Sequence, residues 1–445
     1  MATRSGPGSS DYLEIFLENN ATIKYIQYTI ITLFGTPETQ VLPVARCREH
    51  IRSGDESHRV SPFSLWGGFG DPKRFATNFR YGSDLWHPDW TSLKALDQHN
   101  ASVICNVSEV ATHHLDVDPA NPFHRCPRSG LQATLQKVEE QLDLSFLVGF
   151  ELEFYLLEKS SDLGQGWKAP TAVPGCYWSS PVFLRGALGS CLAACADAVE
   201  VAGIRVEHFH GNASPHQCEI ALGPMPALAS ADAVMQAIEV VKITAQKHGF
   251  HACFHPKPFA GLDPSGLHAH ISVQQAVSIE TSDHFLAGVM RRLDILCGIG
   301  MPFEATSRLG QELCGEWQAW GTNNKDVPVR MIRDGYFEMR CIDCMSNIYL
   351  VLASYIAAGF LGIKSKEPLE QADCLGLPSW MTDHERQKLG IVKRLPSTST
   401  ASLILLEQDC MGLDDVIGRR LMEFFLNVRL SDRKVDWKEL QLALY

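Results

Sequence analysis

In the run Gly149-Phe150-Glu151-Leu152-Glu153-Phe154, two glutamates are threaded through a segment otherwise apolar enough to be buried. Residues two apart on a strand face the same way, so Glu151 and Glu153 share one face and Phe150, Leu152 and Phe154 share the other. Like charges on one face repel unless a cation lies between them. The flanks, Phe146-Leu147-Val148 and Tyr155-Leu156-Leu157, are too apolar for a solvated surface strand. The chain is therefore constrained to a sheet with one charged, enclosed face, and that face points to a metal or catalytic site.

Three further strand candidates carry ionisable residues inside apolar runs. In Gln217-Cys218-Glu219-Ile220-Ala221-Leu222 a single Glu219 enters the run, and by itself reads as an exposed residue at a strand start. In 266–273, His268, His270 and Ser272 share one face. That spacing suits a metal or phosphate, or two core histidines bonded to backbone. In 337–341, Glu338 and Arg340 share a face, as a structural ion pair or as part of a site. A set this rich in carboxylate suits Mg²⁺ or Mn²⁺, whereas sulfur would suit Zn²⁺. The sequence has no GxxxxGK[ST] loop and no GxGxxG after a strand. A bound nucleotide would have to be gripped by metals, Arg and His.

The net charge of −12 over 445 residues disfavours nucleic acid, which wants clustered Lys and Arg. No uninterrupted apolar run reaches the roughly 18 residues of a membrane span. The most apolar segment, 348–363, is interrupted by Ser354 and two glycines and reads as a buried core helix, so no membrane partner is expected. The N-terminus carries no apolar signal core. The 14 cysteines are scattered, several within apolar helix patterns, which implies reduced thiols and a cytoplasmic location. The lone CxxC, Cys341 to Cys344, reads as two small packing residues.

Along the chain, residues 1–19 read as a disordered leader. Two β-branched runs between Ile23 and Val44, around Gly35-Thr36-Pro37, predict a hairpin in a small α+β domain over 20–120. Helical spacing then dominates, with helices over 186–202, from an N-cap at Ser230 or Asp232 to Gly249, after Asp283, over 347–363, and from about 414.

These residues resemble the glutamine synthetase superfamily. The run 149–154 is similar to its glutamate-x-glutamate strand. His255-Pro256-Lys257-Pro258 followed by Ser265-Gly266-Leu267-His268-Ala269-His270-Ile271-Ser272 resembles its PKP…GSGxHxHxS block. Asn324 to Arg330, Glu338-Met339-Arg340 and Asn347-Ile348-Tyr349-Leu350 resemble its NR…R…E-x-R…NPYL block. Pro88-Asp89-Trp90-Thr91-Ser92-Leu93 is similar to part of its β-grasp domain, and the likeness runs over roughly 20–445.

The resemblance implies an α+β fold. A β-grasp N-terminal domain precedes a catalytic domain over 121–445, whose antiparallel sheet forms half of an active-site barrel backed by helices. It implies a ring-shaped homo-oligomer with shared sites, and ATP with Mg²⁺ or Mn²⁺. Glu151, His268 and Glu338 would hold the metal beside the γ-phosphate. Glu153 and Glu219 would hold the metal beside the acid, with Asn212 aligned at the third ligand. His270, Ser272 and Lys325 would lie against ATP, and Arg308 would grip the substrate carboxylate. Arg330 and Arg340 would meet phosphates, and Glu312 or Glu316 would be the loop base.

Several positions depart from the family pattern. Asn212 replaces a Glu, keeping a carbonyl ligand but losing a charge. Lys325 and Tyr336 stand where Arg is usual, and Asp263-Pro264 replaces Asn-Gly. The Phe-Asp-Gly-Ser motif is not evident near 63–68. The departures cluster at the substrate end. They imply a divergent member, similar to type I enzymes or γ-glutamyl-amine ligases. It would be an ATP- and metal-dependent C–N ligase for glutamate or an altered acid with ammonia or an organic amine. The alternative is a catalytically weakened relative with an assembly or regulatory role. Retaining several buried like charges opposes it, because they cost free energy without a metal.

Overall fold

The computed structural model describes residues 8–61, 64–66, 83–110, 121–159, 166–168, 178–259, 261–275, 278–303 and 315–431. The chain opens with helix α1 (Ser9–Asn19), where a disordered leader is expected. Tyr12, Leu13, Phe16 and Leu17 recur at helical spacing and pack on the core, with Leu13 fully buried. Glu14 accepts two 2.7 Å bonds from the Arg48 guanidinium, tying α1 to α2 (Val44–Ser53). The rest of the leader, 1–7, lies outside the described residues.

The first sheet joins β1 (Tyr25–Ile31), β2 (Pro37–Pro43), β3 (His58–Val60), β4 (Asp84–Pro88), β5 (Lys94–Ala95) and β6 (Asn100–Glu109). Its order is β2-β1-β6-β4-β3, with β5 on β6. The predicted hairpin is β1–β2, antiparallel from Tyr25↔Pro43 to Ile31↔Pro37. β1 and β6 run parallel.

After α3 (Pro127–Leu142) comes the long central strand β7 (Phe146–Lys159), then β8 (Trp167–Lys168), α4 (Ala187–Val201), β9 (Val206–Gly211), β10 (Gln217–Pro226) and α5 (Ala227–Lys247). There follow β11 (His251–Cys253), β12 (Leu267–Val273), α6 (Ile279–Gly300), β13 (Trp320–Thr322), β14 (Val329–Arg333), β15 (Tyr336–Met339) and α7 (Ile348–Ser365). The chain continues through α8 (Asp383–Lys388), α9 (Ser399–Gln408), α10 (Leu413–Ile417) and α11 (Arg419–Ser431). Among the described residues these strands form a curled half-barrel in the order β13-β14-β15-β12-β7-β10-β9, with β8 and β11 also on β7.

Phe146, Val148, Phe150, Leu152 and Phe154 of β7 are all buried on the helix side of this sheet. At about 2 kcal/mol each, their burial is worth on the order of 10 kcal/mol. A one-residue slip would turn all five toward the charged face, so the register of the central strand is fixed by its apolar half. Phe285 of α6 stacks on Phe337 of β15 at 5.4 Å and lies 6.2 Å from Phe146. α6 packs directly on α7 because a Cβ on Gly288 would land on the Ala358 carbonyl, and one on Gly362 on the His284 carbonyl. α7 is apolar and long enough to cross a membrane, with a mean hydropathy of 1.6, yet 78% of it is buried inside this fold.

Two helix boundaries differ from the sequence reading. α5 begins at Ala227, so Ser230 and Asp232 are not its N-cap. Both are buried and serve tertiary contacts instead: Ser230 donates to the Val148 carbonyl at 2.8 Å, and Asp232 accepts from Arg128 and Tyr349. The predicted C-terminal helix is two, because Gly418, at φ 125°, breaks it between α10 and α11. None of the described cysteines forms a disulfide, and Cys341 and Cys344 are buried in the core.

Candidate active site

Strand register lines up the charged residues in rows across the concave face. In the first row His210 of β9 pairs with Glu219 of β10, which pairs with Glu153 of β7. In the second, His208 pairs with Ala221, Ala221 with Glu151, and Glu151 with His268 of β12. In the third, Gly149 pairs with His270, His270 with Glu338 of β15, and Glu338 with Arg330 of β14. Paired residues on one face hold their Cβ atoms about 5 Å apart, so residues far apart in sequence become neighbours.

His268 Nδ1 lies 3.3 Å from Glu151 Oε2, 3.5 Å from Glu338 Oε1 and 3.9 Å from Glu153 Oε1. One ring proton can serve only one of these oxygens. His270 Nε2–H donates to Glu151 Oε1 at 3.1 Å, and the Tyr336 hydroxyl lies 3.0 Å from His270 Nδ1. Glu338 is fully buried and accepts from Arg330 Nη1 at 3.0 Å and from Arg340 Nη1. Burial pushes the Glu151 carboxyl up, but hydrogen bonds from His268 and His270 outweigh it and hold the group well below the usual carboxylate range. Burial acts the same way on Glu338, and the Arg340 and His268 charges overcome it. Both carboxylates are therefore ionised at neutral pH. Glu153 accepts the Gly266 backbone N–H at 2.6 Å.

Two cavities open on this face. The larger, about 450 Å³, is lined by Leu147, Glu207, His208, Leu222, Pro224, His270, Ser272 and Tyr336 among others. The smaller, about 200 Å³, is lined by Glu153, Trp178, Asn212, Glu219, Asp263, His268, Lys325 and Arg340 among others. Glu151 lines both, so it stands on the wall between them.

Residues 124–443 match the glutamine synthetase catalytic domain. The chain belongs to the glutamine synthetase family. Protein fluG of Emericella nidulans is 27% identical over 438 residues, covering 97% of this chain and 49% of fluG. The chain thus spans about half the length of that relative. The glutamine synthetase of Methanocaldococcus jannaschii is 26% identical over 464 residues, 97% of this chain and 95% of the relative. Among solved structures, a GmaS/ADP complex superposes with a TM-score of 0.77 at 21% identity, covering 97% of this chain and 99% of that one. Plasmodium falciparum glutamine synthetase superposes with a TM-score of 0.72 at 18% identity, covering 97% of each. At these identities the superpositions establish the glutamine synthetase-type fold.

The structure brings most of the expected family residues together. Glu151, His268 and Glu338 converge, and His270 joins them: ligand atoms of Glu151, His270 and Glu338 all lie within 4.8 Å of one another. His268 Nε2 is buried without a hydrogen-bond partner, and the donor set is carboxylate and imidazole, so the residues fit a divalent metal. Glu219, which alone reads as an exposed residue, is buried opposite Glu153. Asn212 does not present its carbonyl: Oδ1 accepts from Ala213 N at 2.9 Å, and Nδ2 donates to Glu219 Oε2 at 3.1 Å. Ser272 lines the larger cavity, and Lys325 lies 5.0 Å over the Trp178 ring in the smaller one. Glu316 is not brought to the site. It pairs with Arg394 at 3.3 Å and lines neither cavity, because its segment bridges to Arg394 through Trp317. Arg308 and Glu312 lie outside the described residues, as do Phe63 and residues 67–68 of the absent ammonium-site motif. Sequence reasoning missed His208 and His210, although their spacing repeats that of His268 and His270.

Proposed function

We propose that the chain is an ATP- and divalent-metal-dependent ligase that joins a carboxylate to ammonia or an organic amine through an acyl phosphate. The observation that carries this reading is Glu151, ionised and held by two imidazoles, on the wall shared by the two cavities. The larger cavity has the size and the apolar and aromatic lining of a nucleoside site. ADP is the partner of GmaS in the GmaS/ADP complex, which supports the assignment. The smaller, charged cavity suits the acid: Arg340 and Lys325 offer cations to its carboxylates, while Asp326 suits an ammonium group. A zwitterionic amino acid such as glutamate, or an altered form of it, matches that charge pattern.

A carboxylate is a poor electrophile because its leaving group would be oxide. Its oxygen attacks the γ-phosphorus, ADP leaves, and the acyl phosphate formed has a good leaving group. The amine nitrogen then attacks the acyl carbon, phosphate leaves, and the nitrogen gives up its proton to the departing phosphate. Glu151 and Glu338, with His268 or His270, would hold the metal, which when bound offsets the repulsion between carboxylate and triphosphate, worth several kcal/mol. Arg330 and Arg340 hold Glu338 in place, and Arg340 also faces the acid cavity. Tyr336 orients His270 through its hydroxyl.

Asp263 and Pro264 are locked into the cavity wall rather than offered to substrate. Ser214 Oγ–H donates to Asp263 Oδ2 at 2.7 Å, and Gln217 Nε2 donates to the Pro264 carbonyl at 3.3 Å. This supports an altered acid end. We extend the proposal to a homo-oligomeric ring, supported by the exposed apolar residues Trp178, which lines the acid cavity, Val182 and Leu184, and to a cytoplasmic location, which the scattered cysteines of the sequence suit.

The test is a screen of acid and amine mixtures with ATP and Mg²⁺ or Mn²⁺, read by phosphate release and by mass of the amide product. Hydroxylamine should trap the acyl phosphate as a hydroxamate. No nucleotide binding by calorimetry under any metal condition would overturn the ligase reading in favour of an assembly role.

A further inference from the structure

His208, His210 and Glu219 form a second group whose ligand atoms all lie within 4.8 Å of one another, apart from the Glu151–Glu338 cluster. We propose that these three residues form a nitrogen-rich site for a transition-metal dication, of the Zn²⁺ or Co²⁺ kind, which discriminates against Mg²⁺. The site needs no ligase activity to exist, so it stands or falls separately from the function proposed above.

The arrangement follows from the strand. His208 and His210 are two apart on β9, so both rings lie on the concave face, stacked 5.6 Å apart with their planes at 12°. Register sets His210 opposite Glu219, while His208 sits opposite Ala221, whose small side chain leaves the imidazole room to turn toward the carboxylate. His210 Nε2 lies 3.4 Å from Glu219 Oε1. Two donors each about 2.1 Å from a tetrahedral metal stand about 3.4 Å apart, so the pair already has the separation of a shared ligand edge.

Neighbouring groups fix the orientation of these ligands. The Gly211 carbonyl can only accept, so its 3.0 Å contact with His210 Nδ1 fixes a proton there and leaves Nε2, which faces Glu219, as the nitrogen that can exchange its proton for a metal. The Asn212 amide donates to Glu219 Oε2 and so turns Oε1 to the histidine. Asn212 thereby has a job other than the ligand role its alignment suggests. Two imidazoles and one carboxylate suit Zn²⁺, Co²⁺ or Ni²⁺, whereas Mg²⁺ wants near-octahedral oxygen.

The experiment uses the full chain, stripped with chelator and titrated with Co²⁺. The expected result is the intense visible absorption of low-coordinate Co²⁺, persisting in excess Mg²⁺. His208→Ala lies at an exposed position and should fold. It should weaken Co²⁺ binding more than about tenfold, as should His210→Ala, while Glu151→Gln leaves the band intact. Asn212→Ala should weaken binding less than either histidine change. Circular dichroism checks that each variant is folded. Loss of the band in Glu151→Gln but not in His208→Ala would overturn the proposal, as would displacement of Co²⁺ by Mg²⁺ at matched concentration.

Discussion

Replacing Glu338 with glutamine separates an ion-pair role from a metal role for the most buried carboxylate in the site. Glu338 is fully buried, accepts from Arg330 at 3.0 Å and from Arg340, and lies 3.5 Å from His268 Nδ1. Breaking a buried pair by removing one partner costs about 3–5 kcal/mol. Glutamine keeps one oxygen acceptor, so the lower end, about 3 kcal/mol, is expected for Glu338→Gln. That loss falls on the folded state with or without metal. A metal at a hundred times its dissociation constant adds about 2.7 kcal/mol to a protein that binds it, and nothing to one that does not. The gap between natural protein and variant should therefore be about 3 kcal/mol in EDTA and about 6 kcal/mol in saturating Mn²⁺. Urea unfolding followed by tryptophan fluorescence gives both gaps, and Mn²⁺ paramagnetic resonance gives the binding directly. An unchanged gap between EDTA and Mn²⁺ would refute the reasoning and leave Glu338 as a structural ion-pair residue.

Arg128→Met should lower stability by about 3–5 kcal/mol. Its guanidinium bonds Asp232 at 2.7 and 2.9 Å and Asp89 at 2.7 Å, joining α3 and α5 to the first sheet. Adding Asp232→Leu should recover more than half of that loss in urea midpoints, since the carboxylate that Arg128→Met leaves most deeply buried is then removed as well, while Asp89 keeps its bonds from Thr91. Burial pushes the Asp84 carboxyl up from 3.8 to about 7, against the Ser64 hydroxyl that donates to it at 2.9 Å. The folded state thus holds this proton more tightly than the unfolded state, and the stability it contributes is lost as pH rises from about 4 through about 7. Asp84→Asn should match the natural protein near pH 4 and exceed it by up to about 4 kcal/mol at pH 8, measured by urea unfolding across pH. Asn212→Glu should lower stability in EDTA, because it sets a carboxylate against Glu219, and should raise Mg²⁺ affinity about tenfold or more by calorimetry. Tyr336→Ala should weaken ADP binding about tenfold by calorimetry through lost aromatic contact, and Tyr336→Phe should weaken it less.

The central strand was legible because burial and charge alternate along it: five apolar residues fix one face, and Glu151 and Glu153 fall on the other. The HxH strand at 268–270 was legible for the same reason. The HxH of β9 was not, because that strand is an edge strand whose side chains are mostly exposed or half-buried, so no apolar alternation frames its histidines. Glu219 could not be weighed alone, since only the partner strands β7 and β9 enclose it. Ser230 and Asp232 misled as caps because the same side chains that suit a helix start also suit a buried tertiary bond. The short reach of sequence patterns likewise hid the pairing of Glu316 with Arg394, which lies 78 residues further along the chain.

The departures from the family pattern bear on whether the site has decayed or been rebuilt. A side chain that drifts in after function is lost has no reason to find a partner, and a buried polar group without one costs about 1–3 kcal/mol. Each departure on the described face has found one. Asn212 donates to Glu219, Tyr336 meets His270, Asp263 accepts from Ser214, and Lys325 lies over Trp178. Two of these partners, Glu219 and His270, are themselves residues that the family pattern retains. The substitutions thus act on the retained groups, turning the Glu219 carboxylate toward His210 and fixing the His270 ring against Glu151. That coupling is what a change of substrate or metal would require. Loss of chemistry would more simply have neutralised Glu151, Glu153 or Glu338, whose charges are the costliest feature of the sheet.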